Sequence, residues 1–165
     1  MTSIWDSCLI KNLVPHQFQL TLGEGNTSLN EIEGIWYKRE DLNPTGSVKD
    51  RGISFQISWL YSQGIKEAVI SSSGNAAISA ARYAKLAEMR ITAFLPQNAD
   101  KTKVDILNEL GCNLHMVSNS LKKAGQYAKE NNAYWIRPSV NEQGELGYMT
   151  LGEELKKHNF DWLVF

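Results

Sequence analysis

Cysteine is scarce in this sequence. Only Cys8 and Cys112 occur in 165 residues; they lie far apart and form no CxxC pair, which excludes a disulfide framework and a thiolate metal knuckle. The three histidines, His16, His115 and His158, have no paired ligand spacing either, so no metal site is expected. Charge of one sign is equally lacking: the formal net charge is -1. The cations are interleaved with acids, as in Lys38-Arg39-Glu40-Asp41 and Lys49-Asp50-Arg51, and without a basic block nucleic acid is not an expected partner. No apolar run approaches the roughly 20 residues of a membrane span. The first ten residues have neither the basic start nor the apolar stretch of a secretory signal, so the expected location is the cytoplasm, with both thiols reduced. Low-complexity linkers and internal repeats are missing as well. So are GxGxxG, GxxxxGK[ST] and GxSxG, which sets aside a dinucleotide-binding fold, a P-loop and a hydrolase nucleophile elbow.

What is present is alternation. From about Trp36 onward, short apolar runs alternate with segments of helical period, the pattern of a parallel sheet with helices on both faces, and the expected class is α/β. Strands are expected at 35–38, 68–71, 91–95, 114–117 and 134–136. Helices are expected at 47–63 with Gly64 as stop, 75 to about 89, 100–110 with Gly111 as cap, and 120–131. The second of these carries Ala76, Ala77, Ala80, Ala81, Ala84 and Ala87 and can approach a sheet closely. A loop around 138–144 and a helix near 150–158 follow. Asp161-Trp162-Leu163-Val164-Phe165 reads as a buried parallel strand with nothing behind it, so the sequence is expected to be the first part of a longer chain. Open α/β sheets bind ligands beyond the carboxyl ends of their strands, and further ligand contacts are expected after Phe165.

Three stretches can carry chemistry. The densest is Asn43-Pro44-Thr45-Gly46-Ser47-Val48-Lys49-Asp50-Arg51-Gly52, where a turn-forming run delivers Lys49 into the first turn of a helix. A cation there opposes the helix macrodipole by up to about 1 kcal/mol, which favours the neutral amine, and Arg51 is a further candidate source of positive charge. Neutral lysine amines attack aldehydes to form Schiff bases. The plainer alternative is a solvated lysine, with Ser47 and Asp50 serving only as caps. The second stretch, Ser71-Ser72-Ser73-Gly74-Asn75-Ala76-Ala77, places small polar residues between an apolar strand and a helix. Its hydroxyls and backbone N–H groups suit a carboxylate, and Gly74 lets a ligand approach, although an ordinary capped connection would look the same. The third, Leu22 to Leu29, is glycine-rich and by itself says only loop. Trp59, Tyr83 and Trp162 could line a pocket, yet aromatics at such spacing usually belong to a core.

Taken in order, Gly23-Glu24-Gly25-Asn26-Thr27, the run from Lys38 to Gly52, and Ser72-Ser73-Gly74-Asn75-Ala76-Ala77 resemble threonine synthase and its relatives among the fold type II, tryptophan synthase β-like pyridoxal-phosphate enzymes. The resemblance implies that Lys49 holds pyridoxal 5'-phosphate in Schiff-base linkage and acts as acid and base. It also implies that Asn75 hydrogen-bonds the cofactor's phenolic oxygen, and that Ser72, Ser73, Gly74, Asn75 and Ala76 grip the substrate carboxylate. The glycine-rich segment would lie near the mouth of the site. The implied reaction converts O-phosphohomoserine and water to threonine and phosphate, in a family whose full-length members are homodimers. Residues 1–42 would belong to a large domain, 43–145 would form the small α/β domain, and 146–165 would return to the large one. Two positions depart from the threonine synthase pattern: Val48 stands where Phe is usual, as in cysteine synthases, and Met149 replaces the lysine of a Gly-x-Lys-Thr pattern. Cysteine synthase or threonine dehydratase chemistry therefore stays open. So does a non-catalytic fragment, because the family's phosphate cradle and the partner of its pyridine nitrogen would lie beyond position 165.

Overall fold

The computed structural model describes residues 3–72 and 74–164. Its first regular pair is a hairpin of β1 (Leu29–Ile32) against β2 (Ile35–Lys38), antiparallel, with Ile32 opposite Ile35. The two connecting residues, Glu33 and Gly34, have φ of 51° and 81°, the left-handed pair that lets a two-residue turn follow the twist of its strands. The strand expected at 35–38 thus exists, but this turn diverts it into a separate two-stranded ribbon.

The expected α/β architecture follows. Helix α1 (Lys49–Ser62) leads into β3 (Glu67–Ser71), and α2 (Asn75–Leu86), β4 (Arg90–Leu95), α3 (Lys101–Glu109), β5 (Asn113–Met116), α4 (Ser120–Glu130), β6 (Tyr134–Ile136) and α5 (Glu142–Leu155) succeed it. The four later strands form one parallel sheet in the order β5-β4-β3-β6, each crossover being a helix, as parallel pairing requires. Side chains alternate across the pleat. Ala68, Ile70, Ile91, Ala93 and Leu95 face Ile53, Ile57, Ala77, Ala80, Ala84 and Leu107 on one side, and Val69 and Phe94 face Ala124 and Ala128 on the other. Alanine along α2 lets that helix sit low on the sheet. Tyr83 is fully buried and Trp59 packs at the core's edge, so both belong to the core. No helix among the described residues is long and apolar enough to cross a membrane.

Two expectations fail. The loop at 138–144 and the helix at 150–158 are replaced by the single helix α5, which begins at Glu142. Gly144 and Gly147 are contact points within this helix: a methyl group on Gly147 would overlap the Arg51 carbonyl, and one on Gly144 would lie 3.0 Å from the Pro138 carbonyl oxygen. The second failure is the terminal strand. Residues 161–164 pair with nothing among the described residues, Trp162 is 89% exposed and Val164 94%; Phe165 lies outside the described part. An apolar β run is buried only where another strand or helix covers it.

Candidate functional site

Chain order fixes where a ligand belongs. From β3 the chain steps outward to β4 and β5, then returns to place β6 on β3's other side. That reversal marks the carboxyl ends of β3 and β6 as the position at which open α/β sheets bind ligands. The turn leaving β3 there is Ser72 to Gly74, followed at once by α2. Ser72 and Gly74 are half-buried, Ala76 is buried and Asn75 is exposed; Ser73, the remaining candidate of this turn, falls outside the described residues. Gly74 N–H donates to Ser72 Oγ at 3.3 Å. Among the described residues no acceptor takes the amide protons of Asn75 or Ala76, so these two sit at a helix N-terminus free for an anion. Lys103 adds charge that the sequence did not single out: its Nζ would lie 3.6 Å from a methyl group on Gly74.

Lys49 is the first residue of α1, half-buried. Its amide donates to Ser47 Oγ at 3.2 Å, so Ser47 caps the helix, one residue further upstream than a standard cap. Asp50 does more than cap. Fully buried, it accepts from Thr45 N (2.7 Å), Thr45 Oγ1 (2.5 Å) and, across to α2, Ser79 Oγ (2.6 Å). Ser79 stands four residues into α2, about 6 Å along the axis from Asn75. One carboxylate thereby ties the Pro44–Ser47 turn and the start of α1 to the start of α2, and brings Lys49 and the Ser72–Ala76 turn to the same end of the fold.

The lysine borders an open cleft of about 660 Å³ walled by Val48, Tyr148, Met149, Gly152, Leu155 and Leu163. Its ammonium nitrogen lies 5.3 Å from the centre of the Tyr148 ring. Burial, and then the charge on Asp50, push the Tyr148 phenol up to about 12.

Arg51 is not the free positive charge next to Lys49 that the sequence suggested. Its side chain has no exposure and is gripped by two carboxylates, Glu40 through Nε (2.7 Å) and Nη2 (2.8 Å), and Glu154 through Nη1 (2.6 Å) and Nη2 (3.1 Å). Burial alone would lower the guanidinium's affinity for its proton, but the two carboxylates more than offset this and raise it. Both acids are held below the usual carboxylate range: burial pushes each up, and the hydrogen bonds and charge of Arg51 together with the other donors, Thr27 and Asn43 on Glu40 and Lys38 and Asn26 on Glu154, outweigh it. The arrangement locks the loop before Lys49 to α5.

The glycine-rich segment supports this loop. Gly25 N–H donates to Asn43 Oδ1 at 2.9 Å, and its left-handed φ of 85° places it where a methyl group would strike Ile4 Cγ2 at 2.8 Å. Glu24 is fully buried and accepts on Oε2 from the Leu22 amide, Thr21 Oγ1 and Tyr83 OH (2.8 Å), while its Oε1 has no partner among the described residues. Burial raises its pKa. The segment therefore stands behind the site, against α2, and touches it through Asn43.

Comparison with known proteins adds the following. The family model described as "Pyridoxal-phosphate dependent enzyme" matches residues 20–165. The chain is 36% identical over 86 residues to a threonine synthase of Halalkalibacterium halodurans, covering 47% of this chain and 24% of that protein. It is 34% identical over 126 residues to a mitochondrial threonine dehydratase of Schizosaccharomyces pombe, covering 73% of this chain and 21% of that one. Among solved structures, the processed threonine deaminase isoform 2 of Solanum lycopersicum superposes with a TM-score of 0.68 at 22% identity, over 74% of this chain and 35% of the other; at that identity the match speaks for the fold. The chain spans about a quarter of the length of these two curated relatives.

Proposed function

The chain belongs to the pyridoxal-phosphate dependent enzyme family, and on that premise we propose that Lys49 is its cofactor lysine and that its reaction is of the threonine synthase kind. The observation that carries this is the Asp50–Ser79 bond, which joins the start of α1, where Lys49 borders an open cleft, to the first turns of α2, which the Ser72–Ala76 turn leads into.

The residues present suit the cofactor. A primary amine borders a cleft with room for a pyridine ring, and Val48 and Met149 furnish apolar walls; the described residues of the Ser72–Ala76 turn do not line this cleft, and the role of the exposed Asn75 amide toward the phenolic oxygen rests on the family resemblance. Bound pyridoxal phosphate supplies an aldehyde carbon and an electron sink. Lys49 Nζ would hold the cofactor, and as a free amine would take and return protons at the substrate carbons. The amides of Asn75 and Ala76, with Ser72, hold the substrate carboxylate and so orient the bond to be broken.

The substrate reading, O-phosphohomoserine to threonine and phosphate, leans on the threonine synthase match. The dehydratase match covers more of this chain and favours a second reading, loss of ammonia from threonine. The domain division proposed is 1–42 and 146–165 as parts of a large domain and 43–145 as the small one. It is supported by the bonds between the outer segments, Lys38 to Glu154 (2.5 Å) and Asn26 N–H to Glu154 (2.8 Å). Product analysis of the cofactor-loaded chain separates the readings. Phosphate and threonine from O-phosphohomoserine would support the first, ammonia and an oxo acid from threonine the second. Neither product would mean a fragment without activity of its own.

A further inference from the structure

Tyr148 has no place in the chemistry described so far, yet three observations single it out. Its ring packs against α1 so closely that a methyl group on Gly52 would meet Cζ at 2.5 Å and Cε2 at 2.7 Å. Lys49 and Gly52 are three residues apart and share a face of α1, so the same ring that covers Gly52 stands under the Lys49 ammonium, 5.3 Å from centroid to Nζ. This is inside the distance at which the negative face of an aromatic ring attracts a cation. The hydroxyl is buried and, among the described residues, has no hydrogen-bond partner. What the structure shows meeting Lys49 and Gly52 is the ring. Among the described residues no carboxylate pairs with Lys49, which leaves the ring as the group that holds its charge.

We propose that Tyr148 is a positioning residue for Lys49, its ring face parking the ammonium at the wall of the cleft until the amine reacts. The attraction is to the charged form only. To react with an aldehyde, the ammonium releases its proton to solvent and leaves the ring, Nζ bonds to the aldehyde carbon, and the carbonyl oxygen departs as water. The ring thus sets how readily Lys49 is released to the cleft. The role rests on Lys49 being the cofactor lysine.

A truncation such as Tyr148→Leu opens a cavity between α1 and α5 and can unfold the chain, so the test uses shape-conserving replacements. Phenylalanine and then mono-, di- and trifluorophenylalanine are placed at position 148, which drains charge from the ring face while keeping its outline. Each protein is acylated with trace acetic anhydride and Lys49 is quantified against the other lysines by peptide mass spectrometry. Phenylalanine should behave as tyrosine does. Acylation of Lys49 should then rise stepwise with fluorination, by about two- to five-fold at trifluorophenylalanine for an attraction of the usual size, while the other lysines stay constant. A flat series overturns the proposal. A parallel series treated with pyridoxal phosphate and borohydride separates the two levels. Label missing from Lys49 in every protein overturns the cofactor-lysine reading and the role with it; label present but indifferent to fluorination overturns the role alone.

Discussion

Removing the guanidinium of Arg51 while keeping its volume, as in Arg51→Met, should be among the most damaging single changes in this chain. Arg51 is completely buried and clamps Glu40 and Glu154, whose side chains are only 16% and 17% exposed. Glu154 keeps Lys38 at 2.5 Å, so the acid left stranded is Glu40, with only Thr27 and Asn43 to hydrogen-bond it. Breaking a buried pair from one side costs about 3–5 kcal/mol, a large part of the roughly 5–15 kcal/mol that holds a domain together. With a urea slope of about 2 kcal/mol/M, the midpoint should fall by about 2 M. A second change, Glu40→Gln, removes the stranded charge, and the double variant should recover stability relative to Arg51→Met alone. The pH dependence follows the same pair. Glu40 is depressed below its ordinary 4.5, so its contribution is present above that value and lost as pH falls through the lower folded value; in Arg51→Met this acid-sensitive portion should vanish. The reasoning is refuted if Arg51→Met costs less than about 1 kcal/mol at neutral pH, or if the two substitutions simply add.

Gly147→Ala should lower the melting temperature by several degrees, because its methyl group overlaps the Arg51 carbonyl and lies 2.7 Å from Gly52 Cα. Backbone cannot yield as a side chain does, and overpacking of this kind costs about 1–3 kcal/mol; calorimetry checks it, and an unchanged melt would mean that α5 does not cross α1 there. Glu24→Gln should become progressively more stable than the parent as pH rises. Burial raises the pKa of Glu24 above 4.5, so its contribution is intact below that pH and lost as pH climbs through the folded value. Urea midpoints of both proteins from pH 4 to 8 should diverge; parallel curves would place a charged, solvated carboxylate at position 24.

Much of this was legible in the residues. Short apolar runs mark β3 and β4, which are buried along most of their length, because a parallel strand covered on both faces is largely apolar, and Gly64 and Gly111 mark the ends of the helices before β3 and β5. Lys49 and the Ser72–Ala76 turn stand out through the family resemblance of the stretches that hold them; by residue type alone an ordinary capped helix start would look the same. Other features were hidden for physical reasons. Glycine in a helix weakens the helical signal when its purpose is a close crossing, so residues up to Gly144 were expected as loop and only a helix near 150–158 was expected where α5 runs from Glu142. The turn at Glu33-Gly34 gives a weak signal, and β1 was missed with it. Asp50 reads as a cap because its bond to Ser79 spans two helices. Arg51 looked like a charge beside Lys49 because Glu154, its second partner, is 103 positions away. Tyr148 carries no local signal at all; its meaning lies in the ring face it turns toward Lys49.

The central claim is that Lys49 is the lysine that takes the cofactor, and covalent trapping tests it most directly. The purified chain is mixed with pyridoxal phosphate, reduced with borohydride and mapped by peptide mass spectrometry, alongside Lys49→Ala. The account predicts label on Lys49 approaching one per chain and its disappearance in the variant, whose far-ultraviolet circular dichroism should match the parent's because Lys49 is only half-buried. Label scattered over the other lysines, or undiminished when Lys49 is alanine, would contradict it.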